Sequence, residues 1–477
     1  MLRDFSINKI LPIAVLLAIF YAPSTTARLP ELGDPTLASL NKQQEQLLGL
    51  TFYRSLRANL VFIDDRQINY YLNTLGNRLA SHSDAAGDQF RFFIINAPTI
   101  NAFAGPAAYI GVHSKLFIEA KDESQLASVI AHEIAHVSQR HLARRFNQPG
   151  TSTALTLATL LTAILIGTQD SQAGQAVLMS GIAANQQSSI NFTRQNEYEA
   201  DRVGIKILAD SGINPVGMVG FFEILLAKGT DNGMEYLRTH PLNENRVSEA
   251  KGRLSKATEN LPTDSLDFEF AKGRMVILTS TQPEKYTDDK IVSTGLIGQY
   301  QKALALTLSN RADEAIPLLI SLSKHHKQLW IRLALADAYS ANLQDKEALD
   351  VLEKLAELYP GHLPVTMSYA SALLANKKPG KSISILKQQL QQNHTLSQQD
   401  YASIYEVLAQ SYFANGQISA ALESTGNQYA KQGYFELAIQ QYDHALAQKH
   451  NSHSTNERLE AAKEAVKLEM TEFKNAL

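Results

Sequence analysis

One short stretch places two imidazoles and a carboxylate on adjacent turns: His132-Glu133-Ile134-Ala135-His136. A helix advances about 100° per residue, so side chains four apart share a face. His132 and His136 can therefore reach one metal ion, and Glu133 projects beside them, where an attacking water would stand. Two neutral imidazoles holding zinc, with a carboxylate taking the proton of water, is zinc-hydrolase chemistry. So short a pattern also recurs by chance, and two ordinary histidines on a half-exposed helix are the plain alternative. The flanks weigh against it. Ile130, Ala131, Ile134, Ala135 and Val137 are apolar, so the helix is expected to be buried. Buried imidazoles and carboxylates need partners, and one metal satisfies all three.

A third ligand is expected further along. The chain has no cysteine, so a zinc site must be completed by histidine or carboxylate. Hydrolytic sites keep three protein ligands and leave one position for water. The stretch Asn196-Glu197-Tyr198-Glu199-Ala200-Asp201 reads as the opening of a helix that continues to Leu208. Either Glu197 or Glu199 can bind. Glu197 and Asp201 lie one turn apart on one face, so one can hold metal while the other orients a ligand imidazole. Alone, such an acidic run reads as a solvated helix start. His141 falls off the ligand face of a continuous helix running through Gln139, Arg140 and Arg144. It is expected to be solvated or to cap the helix.

The elements that must position these groups follow from periodicity. Leu37 to Leu60 and Arg66 to Ser81 carry apolar residues at helical spacing. Gln89 to Asn96 is aromatic and β-branched, as a strand should be. Asn101 to His113 reads as strand, Gly105-Pro106 turn and strand. Substrate can add to a free strand edge through backbone groups alone. Asn101, Ala102, Phe103 and Ala104, or else Ala108 to Val112, are candidates for that edge. Asp122-Glu123 starts the His132 helix with acidic residues, as the helix dipole favours. Thr151 to Gly167 and Ala176 to Ala184 are apolar. They are expected to form a helical hairpin over the cleft, with peripheral membrane contact through residues 153–184 as a further expectation.

Beyond Asn260-Leu261-Pro262 the signal is all helical. Small residues recur in pairs twelve apart: Ala303 and Ala315, Ala336 and Ala348, Ala370 and Ser382, Ala409 and Ala421. The second and third pairs are offset by 34. That register is the tetratricopeptide signature, about four repeats, and such arrays bind proteins or peptides. The expected organisation is a signal peptide over 1–27, a metallopeptidase domain over 28–260 and a tetratricopeptide domain over 261–477. Arg3 and Lys9, the short apolar run Ile10 to Tyr21 and the small residues before Arg28 carry the signal-peptide reading. Twelve apolar residues are too few to span a bilayer. A net charge of −3 offers no nucleic-acid surface, so no nucleic-acid partner is expected.

Together, His-Glu-x-x-His and the later Glu-x-x-Ala-Asp resemble the gluzincin family that includes the CAAX-prenyl endopeptidases and bacterial HtpX. The whole layout is similar to its periplasmic branch, which works in outer-membrane assembly. The resemblance implies an α+β zincin-type peptidase domain, mostly helical with a small sheet, followed by the all-α repeats. It implies one Zn2+ per chain, with Glu197 rather than Glu199 as third ligand. Asn101 to Ala104 resembles the family's substrate edge, although Gly105-Pro106-Ala107-Ala108 stands where Pro-Gly-Gly is usual. Thr239-His240-Pro241 with Arg246 resembles a late His-Pro…Arg segment. His240 would either stabilise the oxyanion or gate the site as fourth zinc ligand. Arg246 would be structural or contact substrate. The implied function is a periplasmic zinc endopeptidase that degrades misassembled outer-membrane proteins. Its repeats would dock those proteins or the assembly machinery. The alternative is chiefly a chaperone with a gated, low-activity site.

Overall fold

The computed structural model describes residues 42–146, 164, 186–228, 235–255, 258, 260–392 and 396–476. The expected signal peptide lies outside these residues, and so does the 151–184 hairpin apart from the buried Ile164. No described helix is long and apolar enough to cross a membrane.

The chain enters on α1 (Lys42–Asn59) and α2 (Arg66–Ala80). Asp65 caps α2 by accepting the Ile68 N–H, and Ile68, Tyr71, Leu72, Leu75 and Leu79 form its buried stripe. Three strands follow: β1 (Arg91–Ile95), β2 (Ala102–Ala104) and β3 (Tyr109–His113), in the order β1-β3-β2. β1 runs parallel to β3, and β2 pairs antiparallel with it. β3 is therefore interior, which removes Ala108 to Val112 as a substrate edge. Among the described residues, the outer side of β2 pairs with no strand. A Cβ on Gly111 would stand 2.4 Å from the Phe103 ring, so this β2–β3 contact requires glycine. Between them, Ala107 and Ala108 hold φ of 54° and 58°. The turn keeps a left-handed geometry that glycine would adopt without strain.

After α3 (Ser114–Glu119) comes α4 (Glu123–Ser138), capped by Asp122, which accepts the Gln125 N–H. Every residue from Ser124 to Ala135 is buried, so α4 is the central helix of the domain. It does not run on through residue 141. Arg140 adopts φ 54°, and a new helix, α5 (His141–Phe146), starts beyond it. α6 (Gln186–Asp210) packs along α4 and begins well before Asn196, so the acidic run sits mid-helix. α7 (Val216–Lys228), α8 (Glu235–Thr239) and α9 (Glu244–Arg253) complete this region.

Residues 261–265 then bind the start of α4. The Thr263 carbonyl accepts the Ser124 N–H at 2.7 Å, and the Ser265 hydroxyl donates to Glu123. α10 (Leu266–Thr279) leads into helical hairpins: α11 and α12 (Leu296–Leu308, Ala312–His325), α13 and α14 (Leu329–Ala341, Asp345–Leu358), α15 and α16 (Leu363–Ala375, Pro379–Gln392), α17 and α18 (Gln398–Ala414, Ile418–Gln432). α19 (Phe435–Leu446) and the long α20 (His453–Ala476) close the chain. Four hairpin turns share one device, a left-handed residue at Asn310, Leu343, Lys377 and Gly416. The twelve-spaced small residues are buried where the helices cross. Ser382, standing for alanine, bonds the Ala370 carbonyl at 3.0 Å and Ser411 at 2.8 Å.

The hairpins bend back on the first helices. Arg274 of α10 donates to Asp65 at 2.7 Å, His362 lies 4.3 Å ring to ring from Tyr70, and Arg54 of α1 stacks on Phe435 and Phe473. One hydrophobic core runs without a break from Ile63 through α4 to Ala338 of α13.

Candidate metal centre

α4 presents His132, Glu133 and His136, α6 presents Glu197 and Asp201, and the end of α8 presents His240. His132, His136, Glu197 and His240 offer ligand atoms that all lie within 4.8 Å of one another. His132 Nε2 stands 3.0 Å from His136 Nε2 and 3.2 Å from His240 Nδ1. Glu197 stands 3.3 Å from His132 Nε2, 3.4 Å from His136 Nε2 and 3.1 Å from His240 Nδ1. A tetrahedron of ligands about 2.0 Å from one ion has edges of about 3.3 Å. Three imidazole nitrogens aimed at one point cannot all hydrogen-bond one another. The donor set and its spacing therefore fit one zinc-sized cation, with His240 at the fourth vertex.

Electrostatics agree with that reading. Burial disfavours an imidazolium at His132, but the carboxylates of Asp201 and Glu197 outweigh it and push the group up to about 10. Burial likewise opposes an ionised Glu197. His240 and His132 overcome it and hold the carboxyl well below the usual range. Burial keeps His136 neutral, with its pKa well below an ordinary imidazole's.

Burial raises Glu133, against the pull of His240 and His132. Its Oε1 is buried without a hydrogen-bond partner among the described residues, and His240 Nε2 lies 3.4 Å away. A carboxylate moved toward neutrality with a free oxygen suits proton transfer. The Ala104 backbone also hydrogen-bonds Glu133, which ties β2, the edge strand of the sheet, to the cluster. Ala102 and Phe103 are buried, as is Asn101, whose Oδ1 has no partner among the described residues.

Asp201 stands 3.0 Å from His132 Nδ1 and receives both Nε and Nη2 of Arg246, at 2.7 and 2.8 Å. Arg246 is only 2% exposed, and its Nη1 donates to the Pro241 carbonyl at 2.7 Å and lies 3.1 Å from Glu197. Of the two roles expected for Arg246, structural or substrate-contacting, the enclosed guanidinium has the geometry of the structural one, a clamp on Asp201 and the His240 turn.

Glu199 points away from the cluster. It accepts from Arg144 at 3.2 Å and faces His141 Nε2 at 3.1 Å. His141 is neither solvated nor a cap: it is 5% exposed, with Nδ1 2.8 Å from His136 Nδ1. Helical phase alone hid this, because the left-handed Arg140 swings the ring back onto α4. Tyr236 also escaped notice. Four residues before His240, it stacks on that ring with centroids 4.6 Å apart, and helical spacing could have flagged it.

Comparison with known proteins places this geometry in a family. The Peptidase family M48 profile matches residues 66–254, the region that holds the whole cluster. The beta-barrel assembly-enhancing protease of Escherichia coli K12 is 33% identical over 430 residues, covering 88% of this chain and 87% of that one. The protein of that name from Yersinia pestis is 31% identical, with 86% of each chain covered. The mitochondrial metalloendopeptidase OMA1 of Arabidopsis thaliana is 30% identical over 39% of this chain and 36% of its own. With its buried His-Glu-x-x-His helix and facing carboxylates, this chain is a metalloprotease of peptidase family M48 and belongs to the group of the beta-barrel assembly-enhancing proteases.

Proposed function

We propose that the chain is a zinc-dependent endopeptidase of the periplasm. It cleaves misassembled outer-membrane proteins and assists their assembly through the repeats. The observation that carries the chemistry is the four-ligand cluster with Glu133 beside it. The names of the full-length relatives support the substrate class. Export by residues 1–27, a peptidase domain over 28–260 and a repeat domain over 261–477 complete the proposal.

His132, His136 and Glu197 hold one zinc. When bound, the metal polarises a scissile carbonyl and acidifies the attacking water. Glu133 accepts the proton of that water and delivers it to the leaving amine. Asp201, clamped by Arg246, holds the His132 ring. Substrate lies as an added strand on Ala102 to Ala104, which brings its backbone beside Glu133. His240 is assigned the role of gate: its Nδ1 stands 3.2 Å from His132 Nε2, among the atoms that would hold the metal, and its Nε2 lies 3.4 Å from Glu133, where the attacking water would stand.

That closed arrangement also favours a second reading, a chaperone or assembly factor whose peptidase is mostly shut. Metal analysis with casein hydrolysis tests the first. Wild type and Glu133→Gln should each hold one zinc, while hydrolysis falls by about 100-fold or more in the variant. Activity that survives Glu133→Gln would end the role of proton acceptor assigned to Glu133. Full rescue of outer-membrane assembly by the same inactive variant would favour the chaperone. His240→Ala should raise hydrolysis if His240 gates, and abolish it if His240 binds the oxyanion.

A further inference from the structure

The two imidazoles on α4 are held in different ways. His132 turns its Nδ1 to a carboxylate, Asp201, at 3.0 Å. His136 turns its Nδ1 to another imidazole, His141 Nδ1, at 2.8 Å. A histidine that ligates through Nε2 is neutral and keeps its proton on Nδ1. His136 Nε2 faces the cluster, so its Nδ1–H donates and His141 Nδ1 accepts. That leaves the His141 proton on Nε2, where it is donated to Glu199 Oε2 at 3.1 Å, an oxygen that also accepts from Arg144 at 3.2 Å. The chain of bonds has one consistent direction, from ligand to carboxylate.

The backbone is shaped for this contact. On a continuous helix, the residue five after His136 would point well away from it. Here Arg140 takes φ 54°, uncommon for a residue with a Cβ, and His141 opens α5 from inside the protein, 5% exposed. Strain of this kind persists where the surroundings over-determine it.

We propose that His141 is a positioning residue for the metal: it fixes the tautomer and ring orientation of His136, with Glu199 and Arg144 fixing His141 in turn. The relay makes Glu199, the glutamate that does not reach the cluster, part of the support of the site. This inference rests on the proposal that the cluster binds zinc.

The test measures zinc affinity of the full chain by chelator competition, the visible spectrum of the Co2+-substituted protein, and the denaturation midpoint of the zinc-free protein. His141→Ala should weaken zinc binding by about 10–100-fold and alter the Co2+ spectrum. His141→Asn should recover most of that loss, because its Oδ1 can accept where Nδ1 did. Equal zinc affinity in wild type and His141→Ala, or equal loss in the alanine and asparagine variants, overturns the proposal. Should His141→Ala not fold, Glu199→Ala tests the same relay from its half-buried end. It should weaken zinc binding about threefold or more, and an unchanged affinity overturns the proposal. A wild type that binds no zinc in this titration fails at the earlier step and takes the metal reading with it.

Discussion

Asp201→Asn separates two jobs that one buried carboxylate performs. The side chain keeps its shape and loses its charge. In the wild type one oxygen faces His132 Nδ1 at 3.0 Å, and both oxygens serve Arg246. The oxygen that faces His132 Nδ1 also accepts from Arg246 Nη2, so an amide oxygen there keeps both contacts without the charge, while its NH2 must face the Arg246 Nε–H. Carboxylates that orient a zinc-bound imidazole are worth about 10–100-fold in metal affinity, or roughly 1.4–2.8 kcal/mol. The second cost is a guanidinium left buried without its bidentate partner. Removing one member of a buried ion pair costs about 3–5 kcal/mol. The lower end applies here, because Arg246 keeps the Pro241 carbonyl and a 3.1 Å contact with Glu197. Chelator competition reads the first effect, and urea denaturation of the zinc-free protein reads the second. The expected outcome is weaker zinc binding together with a lower midpoint. Zinc affinity within twofold of wild type, with the midpoint lowered, would refute the role assigned to Asp201 at His132 and leave it only a clamp for Arg246.

Three other perturbations reach different parts of the fold. His113 is fully buried, and burial pushes it down to about 4, so the unfolded chain takes up its proton first as pH falls from about 6.5. Its contribution is present above that pH and is lost on acidification, by about 3 kcal/mol by pH 4; denaturation of His113→Leu between pH 7 and 4 should show a correspondingly shallower decline. Gly217→Ala would place a Cβ 2.2 Å from the Ser124 carbonyl at the start of α4, and should lower stability by about 1–3 kcal/mol in denaturant titrations. Leu343 is 88% exposed at φ 57°, so Leu343→Gly relieves left-handed strain without losing packing; its thermal midpoint should rise, by about 0.5–1 kcal/mol in stability.

Much of the site is local and therefore legible in the chain. His132, Glu133 and His136 sit on one short stretch, and the apolar residues around them announce burial, as the structure finds for Val129 through Ala135. The repeat register is local too, because a small residue is needed wherever two helices cross. β1 is legible as an aromatic and β-branched run, and β2 and β3 as strand, turn and strand, but the order of the three is not. Pairing is decided by which backbone groups meet in space, and that puts β3 inside and leaves β2 as the edge.

Residue type and helical phase determined His132, Glu133 and His136 as groups able to hold a metal and move a proton, and left Glu197 and Glu199 both open; only the family resemblance pointed to Glu197 and His240. Tertiary structure decided how they are supported. Asp201 and Arg246 meet only because α6 and α9 pack together, and burial then turns that arginine into a clamp rather than a substrate contact. His240 reaches the cluster across more than a hundred residues of chain. His141 was misplaced by phase reasoning because one left-handed residue, Arg140, breaks the helix and redirects the ring. A helical period predicts faces only while the helix continues, and contacts between elements depend on packing that no local pattern encodes.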